Sequence, residues 1–206
     1  IQRGAERALA GGTKLSDVLL LVEEFRKQNT ETPVVLMGYL NPVEIMGYEA
    51  FVSRAATAGV DGVLLVDMPP SEAGGLRDML HAAGVDLIFL VAPTTSEARA
   101  RTIVSQCSGY LYYVSLKGVT GAAIRETDSV AANVKFLRSL TDLPVVIGFG
   151  IKDAQGASDM AALADGVVIG SALVEKIGGL QGRATVSDDD LAAIVELIAA
   201  ARARLA

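Results

Sequence analysis

Two glycine-bearing turns hold the clearest chemistry in this chain. Ile147-Gly148-Phe149-Gly150-Ile151 closes one apolar run, and Val168-Ile169-Gly170-Ser171-Ala172 closes the next. Glycine lets a backbone approach a ligand closely. The amides of such turns, with the positive end of a following helix, hydrogen-bond phosphate oxygens. Either turn alone would serve equally as a tight connection between a strand and a helix. Both together, at the C-terminal end, fit the phosphate site of a parallel barrel, built from the loops after its seventh and eighth strands.

Other candidates are fewer. Ser115-Leu116-Lys117-Gly118-Val119-Thr120-Gly121-Ala122 is a long glycine-bearing stretch with a hydroxyl in the middle. It suits either a lid that closes over a ligand or an ordinary surface loop. Lys117 has Schiff-base chemistry available to it, but a loop lysine beside two glycines is more simply solvated. Asp67, in Val66-Asp67-Met68-Pro69-Pro70, ends a strand and would stand at the site face, bracing a neighbouring loop rather than moving protons. Asn41-Pro42 reads as a loop former first and a contact residue second. Tyr39 and Tyr112 alternate with their strand neighbours; each lines the barrel mouth or the core, and a buried tyrosine needs a partner for its hydroxyl. His81 falls near a helix C-terminus, where the dipole suits it. No pair of carboxylates stands out as a catalytic acid and base.

These residues need a scaffold, and the chain supplies a rhythm. Strand candidates are Val34–Tyr39, Val63–Asp67, Leu87–Val91, Leu111–Ser115, Val145–Phe149 and Val167–Gly170. The first five are each followed by a polar or glycine-bearing turn and a helical stretch, at intervals of about 20 to 35 residues. Helical spacing also covers 1–11 and 15–28, ahead of any strand. Val43–Ala58 stops at Gly59 and Ser71–Ala83 at Gly84, as helices that end on glycine do. Ser96–Gln106 follows a Pro-Thr-Thr turn. The last helix opens on Ser187-Asp188-Asp189-Asp190, a capping box with acids at the positive end, and closes near Arg202 and Arg204. Alternating strands and helices predict a parallel sheet, open or closed. The G-x-G-x-x-G turn of an open dinucleotide fold is absent after the first strand, which favours a (β/α)₈ barrel. If the glycine turns end strands 7 and 8, the first strand here is strand 3, and strands 1 and 2 are not in this sequence.

Composition bounds the rest. The 206 residues fit one domain, 1–206, with no linker or composition shift. Hydrophobic residues make up 51% and mean hydropathy is +0.41. The longest apolar run, Leu87 to Ala92, is far short of the ~18 residues of a membrane span, so the apolarity belongs to strands covered on both faces. A net charge of −6 without a basic cluster argues against nucleic acid. It also predicts that phosphate is held mainly by backbone amides and helix dipoles. Cys107 is the single cysteine, which excludes an internal disulfide and a cysteine metal cage and fits a reducing, cytoplasmic setting. No leader is visible, and a sequence without an initiator Met leaves a removed one open.

Five segments in order carry a family resemblance: Pro33-Val34-Val35-Leu36-Met37-Gly38-Tyr39-Leu40-Asn41-Pro42, Gly62-Val63-Leu64-Leu65-Val66-Asp67-Met68-Pro69, Gly118-Val119-Thr120-Gly121, Gly148-Phe149-Gly150-Ile151 and Gly170-Ser171-Ala172. Together they resemble the tryptophan synthase alpha chains, across the whole sequence. The resemblance implies retro-aldol cleavage of indole-3-glycerol phosphate to indole and glyceraldehyde 3-phosphate, without metal or organic cofactor. It implies phosphate-binding amides at Gly121, Phe149, Gly150, Gly170 and Ser171. It implies an indole pocket lined by Met37, Tyr39, Leu64, Leu90, Tyr112, Phe149 and Val168, and a lid carrying Thr120 and Gly121. Asn41, Asp67 and Pro69 match the face that meets the beta chain, whose pyridoxal phosphate centre joins indole to serine in an alpha2-beta2 heterotetramer. The family's catalytic glutamate and aspartate would fall before Ile1, so no catalytic residue is assigned, and these 206 residues alone are expected to cleave little or nothing. Two rivals remain at this level. One is a different phosphate-binding barrel enzyme using Asp67 and Lys117. The other is a non-catalytic barrel that activates or scaffolds a beta-chain partner.

Overall fold

The computed structural model describes residues 1–115, 123–148 and 150–205. Contacts gather the chain into two compact units. One comprises Ala8–Val91 and Thr95–Leu111, and the other Ile1–Arg7, Ala92–Thr94 and Tyr112–Ala206. The chain opens with α1 (Gln2–Ala10).

The first unit runs α2 (Leu15–Arg26), β1 (Val35–Gly38), α3 (Leu40–Met46), α4 (Tyr48–Ala58), β2 (Gly62–Leu65), α5 (Gly74–Ala82), β3 (Asp86–Val91) and α6 (Glu97–Gln106). Its strands pair in parallel, with Met37 opposite Leu64 and Leu64 opposite Ile88. Every residue of β2 is buried, which is why the segment reads as an unbroken apolar run rather than an alternation. Leu19, Phe51, Ala55, Leu76 and Leu80 turn the apolar stripes of α2, α4 and α5 into the same core.

The second unit runs β4 (Leu111–Val114), α7 (Ala123–Arg138), β5 (Val145–Gly148), α8 (Ala154–Ala161), β6 (Gly166–Val168), α9 (Ser171–Gly178) and α10 (Asp188–Leu205). β5 and β6 are parallel, with Ile147 opposite Val167 and Gly148 opposite Val168. Tyr113, Leu137 and Ile147 are among its largest fully buried side chains, and Ile151, Ala157 and Ala201 form a cluster with Met160 and Ile169 around it. No helix among the described residues is long and apolar enough to cross a membrane.

All six strand expectations are met within two residues. The helices needed more correction. Val43–Ala58 is two helices, because Gly47 breaks the chain with φ 84° and ψ 140°, a conformation that side chains disfavour. Asn41-Pro42 is not a loop but the first turn of α3, where proline's missing N–H costs nothing. The helix expected from Ser71 begins at Gly74. The capping box at Ser187 is present: Ser187 Oγ accepts from the Asp190 amide, and Asp190 accepts from the Ser187 amide.

One device was not anticipated. Where β1 begins, Val34 and Asp61 bond reciprocally: the Asp61 amide donates to the Val34 carbonyl at 2.9 Å, and the Val34 amide donates to the Asp61 carboxylate at 2.6 Å. Arg26 adds an ion pair to the same carboxylate at 2.6 Å. Val145 and Asp165 repeat the arrangement at β5, with Arg138 in place of Arg26. Leu87 and Ser108 repeat the reciprocal pair at β3.

Candidate functional site

The end of β5 is the best-defined part of the site. Gly148, its last residue, is buried and has no room for a side chain. A Cβ there would lie 1.8 Å from Tyr112 Oη and 2.2 Å from its Cζ. The glycine is therefore required by the tyrosine ring laid over it from β4. Ser115, just beyond β4, grips the same residue differently. Its amide donates to the Gly148 carbonyl at 3.0 Å, and its hydroxyl donates to that carbonyl at 3.2 Å. Two residues on, Gly150 takes φ 75°, the left-handed region that favours glycine. Asp153 then caps α8 by accepting from the Gly156 amide at 2.7 Å.

The second glycine turn lies beside the first, since β6 is the register neighbour of β5. Gly170 is the N-cap of α9, and among the described residues no side chain caps that helix. Its first-turn amides are left for water or a ligand, and the dipole makes that end positive. Ser171, the first helical residue, is exposed there. A cavity of about 330 Å³ runs from Ser171 along α9 to Gly178, with Arg3, Gly4 and Arg7 of α1 on the other wall and Glu175 between. Arg3 and Arg7 bring positive charge to this cavity that the composition did not suggest, with the Arg7 guanidinium against Gly178 at the far end of α9.

Leu64 is fully buried in β2, Leu90 and Val168 are half-buried, and Tyr112 is buried. Met37 in β1 and Tyr39, the N-cap of α3, are 56% and 57% exposed, so they face solvent rather than a packed core. Asp67 braces its surroundings, accepting from the Leu40 amide at 2.7 Å and thereby capping α3. This cap holds Asn41 in an exposed helical turn, with Pro69 half-buried near Asp67 in sequence. His81 sits in the last turn of α5, as expected. Lys117, Thr120, Gly121 and Phe149 lie outside the described residues.

Titration shifts are found away from these turns. Burial pushes the Cys107 thiol up to about 11, so it is no nucleophile. Burial also raises Tyr113, partly opposed by its hydrogen bond with Asn133. The Val145 amide holds the Asp165 carboxyl below its ordinary value, with burial opposing and Arg138 assisting.

Sequence reading missed Ser115 and Gly148 as contributors. Gly148 sat in the quoted motif, but the reason for it, Tyr112 arriving from another strand, has no local signature. Ser115 ended a strand and looked like the start of a loop. α9 itself was also missed, and with it the helix end that Ser171 opens.

The fold and these turns define a parallel α/β protein with two glycine turns at neighbouring strand ends. Comparison with known proteins agrees. The family profile "Tryptophan synthase alpha chain" matches residues 1–202. The tryptophan synthase alpha chain of Methylococcus capsulatus is 54% identical over 205 residues, covering 100% of this chain and 76% of its own. That of Nitrosococcus oceani is 51% identical over 195 residues, covering 95% of this chain and 72% of its own. A crystal structure of the alpha chain from Legionella pneumophila superposes with a TM-score of 0.86 at 41% identity, over 99% of this chain and 74% of that one. A chain in the tryptophan synthase a2b2 complex of Pyrococcus furiosus gives 0.84 at 32% identity, over 98% and 79%. The chain belongs to the tryptophan synthase alpha chain family.

Proposed function

We propose that this chain acts as the alpha subunit of tryptophan synthase, a lyase that releases indole from indole-3-glycerol phosphate and delivers it to a beta chain. The carrying observation is the pairing of the two glycine turns: Gly148 and Val168 are register partners, so both turns open at neighbouring strand ends, one of them into the uncapped α9. Backbone amides around Gly150, Gly170 and Ser171, with Gly121 and Phe149 of the same family motifs, hold the substrate phosphate. Met37, Tyr39, Leu64, Leu90, Tyr112, Phe149 and Val168 receive the indole, with Thr120 and Gly121 in the lid over it. Asn41, Asp67 and Pro69 belong to the beta-chain face, where Asp67 works by capping α3. The architecture is a single (β/α)₈ barrel domain with this chain's strands as its third to eighth. The alpha chain carries no cofactor, and pyridoxal phosphate belongs to the beta partner. A biosynthetic enzyme of this kind works in the cytoplasm.

The cleavage separates a carbon–carbon bond between the indole ring and the glycerol phosphate. This chain's part is to anchor the phosphate and shelter the ring, so that the scissile bond is held in one place. The rival enzyme using Asp67 and Lys117 gains no support from Asp67, which is occupied with the Leu40 amide.

Ser171→Asp tests the phosphate reading. A carboxylate in the first turn of α9 suits the helix dipole, so the fold is retained. The same charge repels a phosphate dianion at that spot. Binding of glycerol 3-phosphate, measured by calorimetry, is expected to fall at least tenfold, a loss of about 1.4 kcal/mol. Unchanged affinity would refute the placement of the phosphate.

A further inference from the structure

We propose that Ser115 is a positioning residue of the phosphate site, acting through the carbonyl of Gly148. This rests on the reading above that the turn after β5 binds phosphate. Among the described residues, and tyrosines apart, Ser115 is the one polar side chain in the buried core, at 6% exposure. A buried hydroxyl carries a desolvation cost unless it is hydrogen-bonded, and alanine would fill the volume without that cost. The hydroxyl is spent on a carbonyl that already has a donor. The Ser115 amide reaches Gly148 O at 3.0 Å, and Oγ supplies a second donor at 3.2 Å.

Two donors on one oxygen fix the direction of the carbonyl as well as its distance. A peptide unit is planar, so holding the carbonyl holds the whole unit and the direction in which the chain leaves β5. The other freedoms of Gly148 are already restricted. Tyr112 covers its α-carbon, and the β6 register sets it opposite Val168, two residues before Gly170. Ser115 adds the two bonds that set the direction of the carbonyl. Turn amides bind phosphate well only when they are aimed beforehand, because aiming them on binding costs affinity.

The test compares Ser115→Ala with Ser115→Thr, which keeps the hydroxyl. Each is titrated by calorimetry with inorganic phosphate, with glycerol 3-phosphate, and with indole, which has no phosphate. Thermal midpoints are recorded alongside. Loss of one neutral hydrogen bond predicts phosphate ligands binding roughly three- to tenfold more weakly to Ser115→Ala. Indole affinity should be unchanged, and Ser115→Thr should restore phosphate binding. If indole and phosphate weaken together, Ser115 is only structural and the proposal fails. It also fails if Ser115→Ala binds phosphate like the parent, or if Ser115→Thr gives no rescue. Should Ser115→Ala not fold, Ser115→Cys keeps the volume with a weaker donor, and an unaltered phosphate affinity there overturns the proposal. A parent protein that binds neither phosphate ligand removes the phosphate reading itself, and this proposal with it.

Discussion

Replacing Gly148 with alanine should destabilise the protein far more than the same change a strand away. At Gly148 the added methyl would fall 1.8, 2.2 and 2.6 Å from Oη, Cζ and Cε1 of Tyr112. These are atoms of a rigid ring that is only 8% exposed. The whole ring must retreat by more than an ångström to reach ordinary contact. Overpacking of this kind costs about 1–3 kcal/mol, and a buried ring with few escape routes points to the upper end. The lost flexibility of the unfolded chain offsets about 0.4–1 kcal/mol. The net expectation is a loss of about 2 kcal/mol. Gly166, in β6, is the internal control. A methyl there would meet only Val146, at 3.5 and 3.7 Å, which is ordinary contact. Gly166→Ala should therefore gain about 0.4–1 kcal/mol from the unfolded-chain effect alone. Urea unfolding followed by circular dichroism and by tyrosine fluorescence separates the two, provided the probes coincide and the slopes match the parent's. If Gly148→Ala unfolds at the same urea concentration as Gly166→Ala, or at a higher one, Tyr112 is not locked over Gly148 and the reasoning is wrong.

Three other perturbations have defined outcomes. Arg26 is 15% exposed and donates to Gly59 O, Asn29 O, Thr32 O and the Asp61 carboxylate. Arg26→Met should cost about 2–4 kcal/mol in urea unfolding, and Arg26→Lys should recover little because an ammonium cannot reproduce the planar fork. The Asp165 carboxyl is held below its ordinary value, chiefly by the Val145 amide. A depressed folded value gives stability that is complete above the unfolded value, about 3.9, and is lost as pH falls through the lower folded one. Asp165→Asn should flatten the acid limb of the stability profile, by less than about 1 kcal/mol because the side chain is 42% exposed; an unchanged limb counts against the assignment. Cys107, half-buried and raised to about 11 chiefly by desolvation, should react with a thiol reagent at pH 8 more slowly in the native protein than after denaturant is added. Equal labelling rates in the two states would contradict the raised value.

How much of this was readable in the sequence depends on how local the cause is. β2 and β3 announce themselves because Val63-Leu64-Leu65 and Leu87-Ile88-Phe89 are apolar without alternation, and burial on both faces leaves no other option. Ser96, Asp153 and Ser187 cap helices through bonds three residues long, so their signals sit next to the helices they start. The two glycine turns were legible for the same reason, since their glycines stand close together at the ends of apolar runs, whereas the short α9 that follows the second was not. Gly47 was invisible as a helix break because a single glycine within a helical pattern is usually tolerated. The role of Asp67 depends on Leu40, 27 positions earlier. Ser115 and Gly148 are 33 positions apart. Pairs of this kind follow from strand order and register, which no window of sequence contains.

The reciprocal pairs at Val34–Asp61, Leu87–Ser108 and Val145–Asp165 show why stability and chemistry separate in this fold. Each joins the start of one strand to the residues just before the next, so the device recurs ahead of β2, β4 and β6, at every second strand. In each case the second partner precedes a glycine: Asp61-Gly62, Ser108-Gly109 and Asp165-Gly166. Two of the three add an arginine from the helix before the first strand. All of them work at the N-terminal ends of the strands, whereas Ser115, Gly148, Gly170 and Ser171 work at the C-terminal ends. In parallel α/β folds the C-terminal ends carry ligands and the opposite ends carry stability. A carboxylate that accepts a strand's first amide satisfies a group the sheet would otherwise leave unpaired, and it does so without occupying the face where a substrate enters. Changes at Arg26 or Asp165 should therefore move unfolding and leave phosphate affinity alone. Ser171→Asp should do the reverse, and a variant set that mixed the two effects would contradict this division of the strand ends.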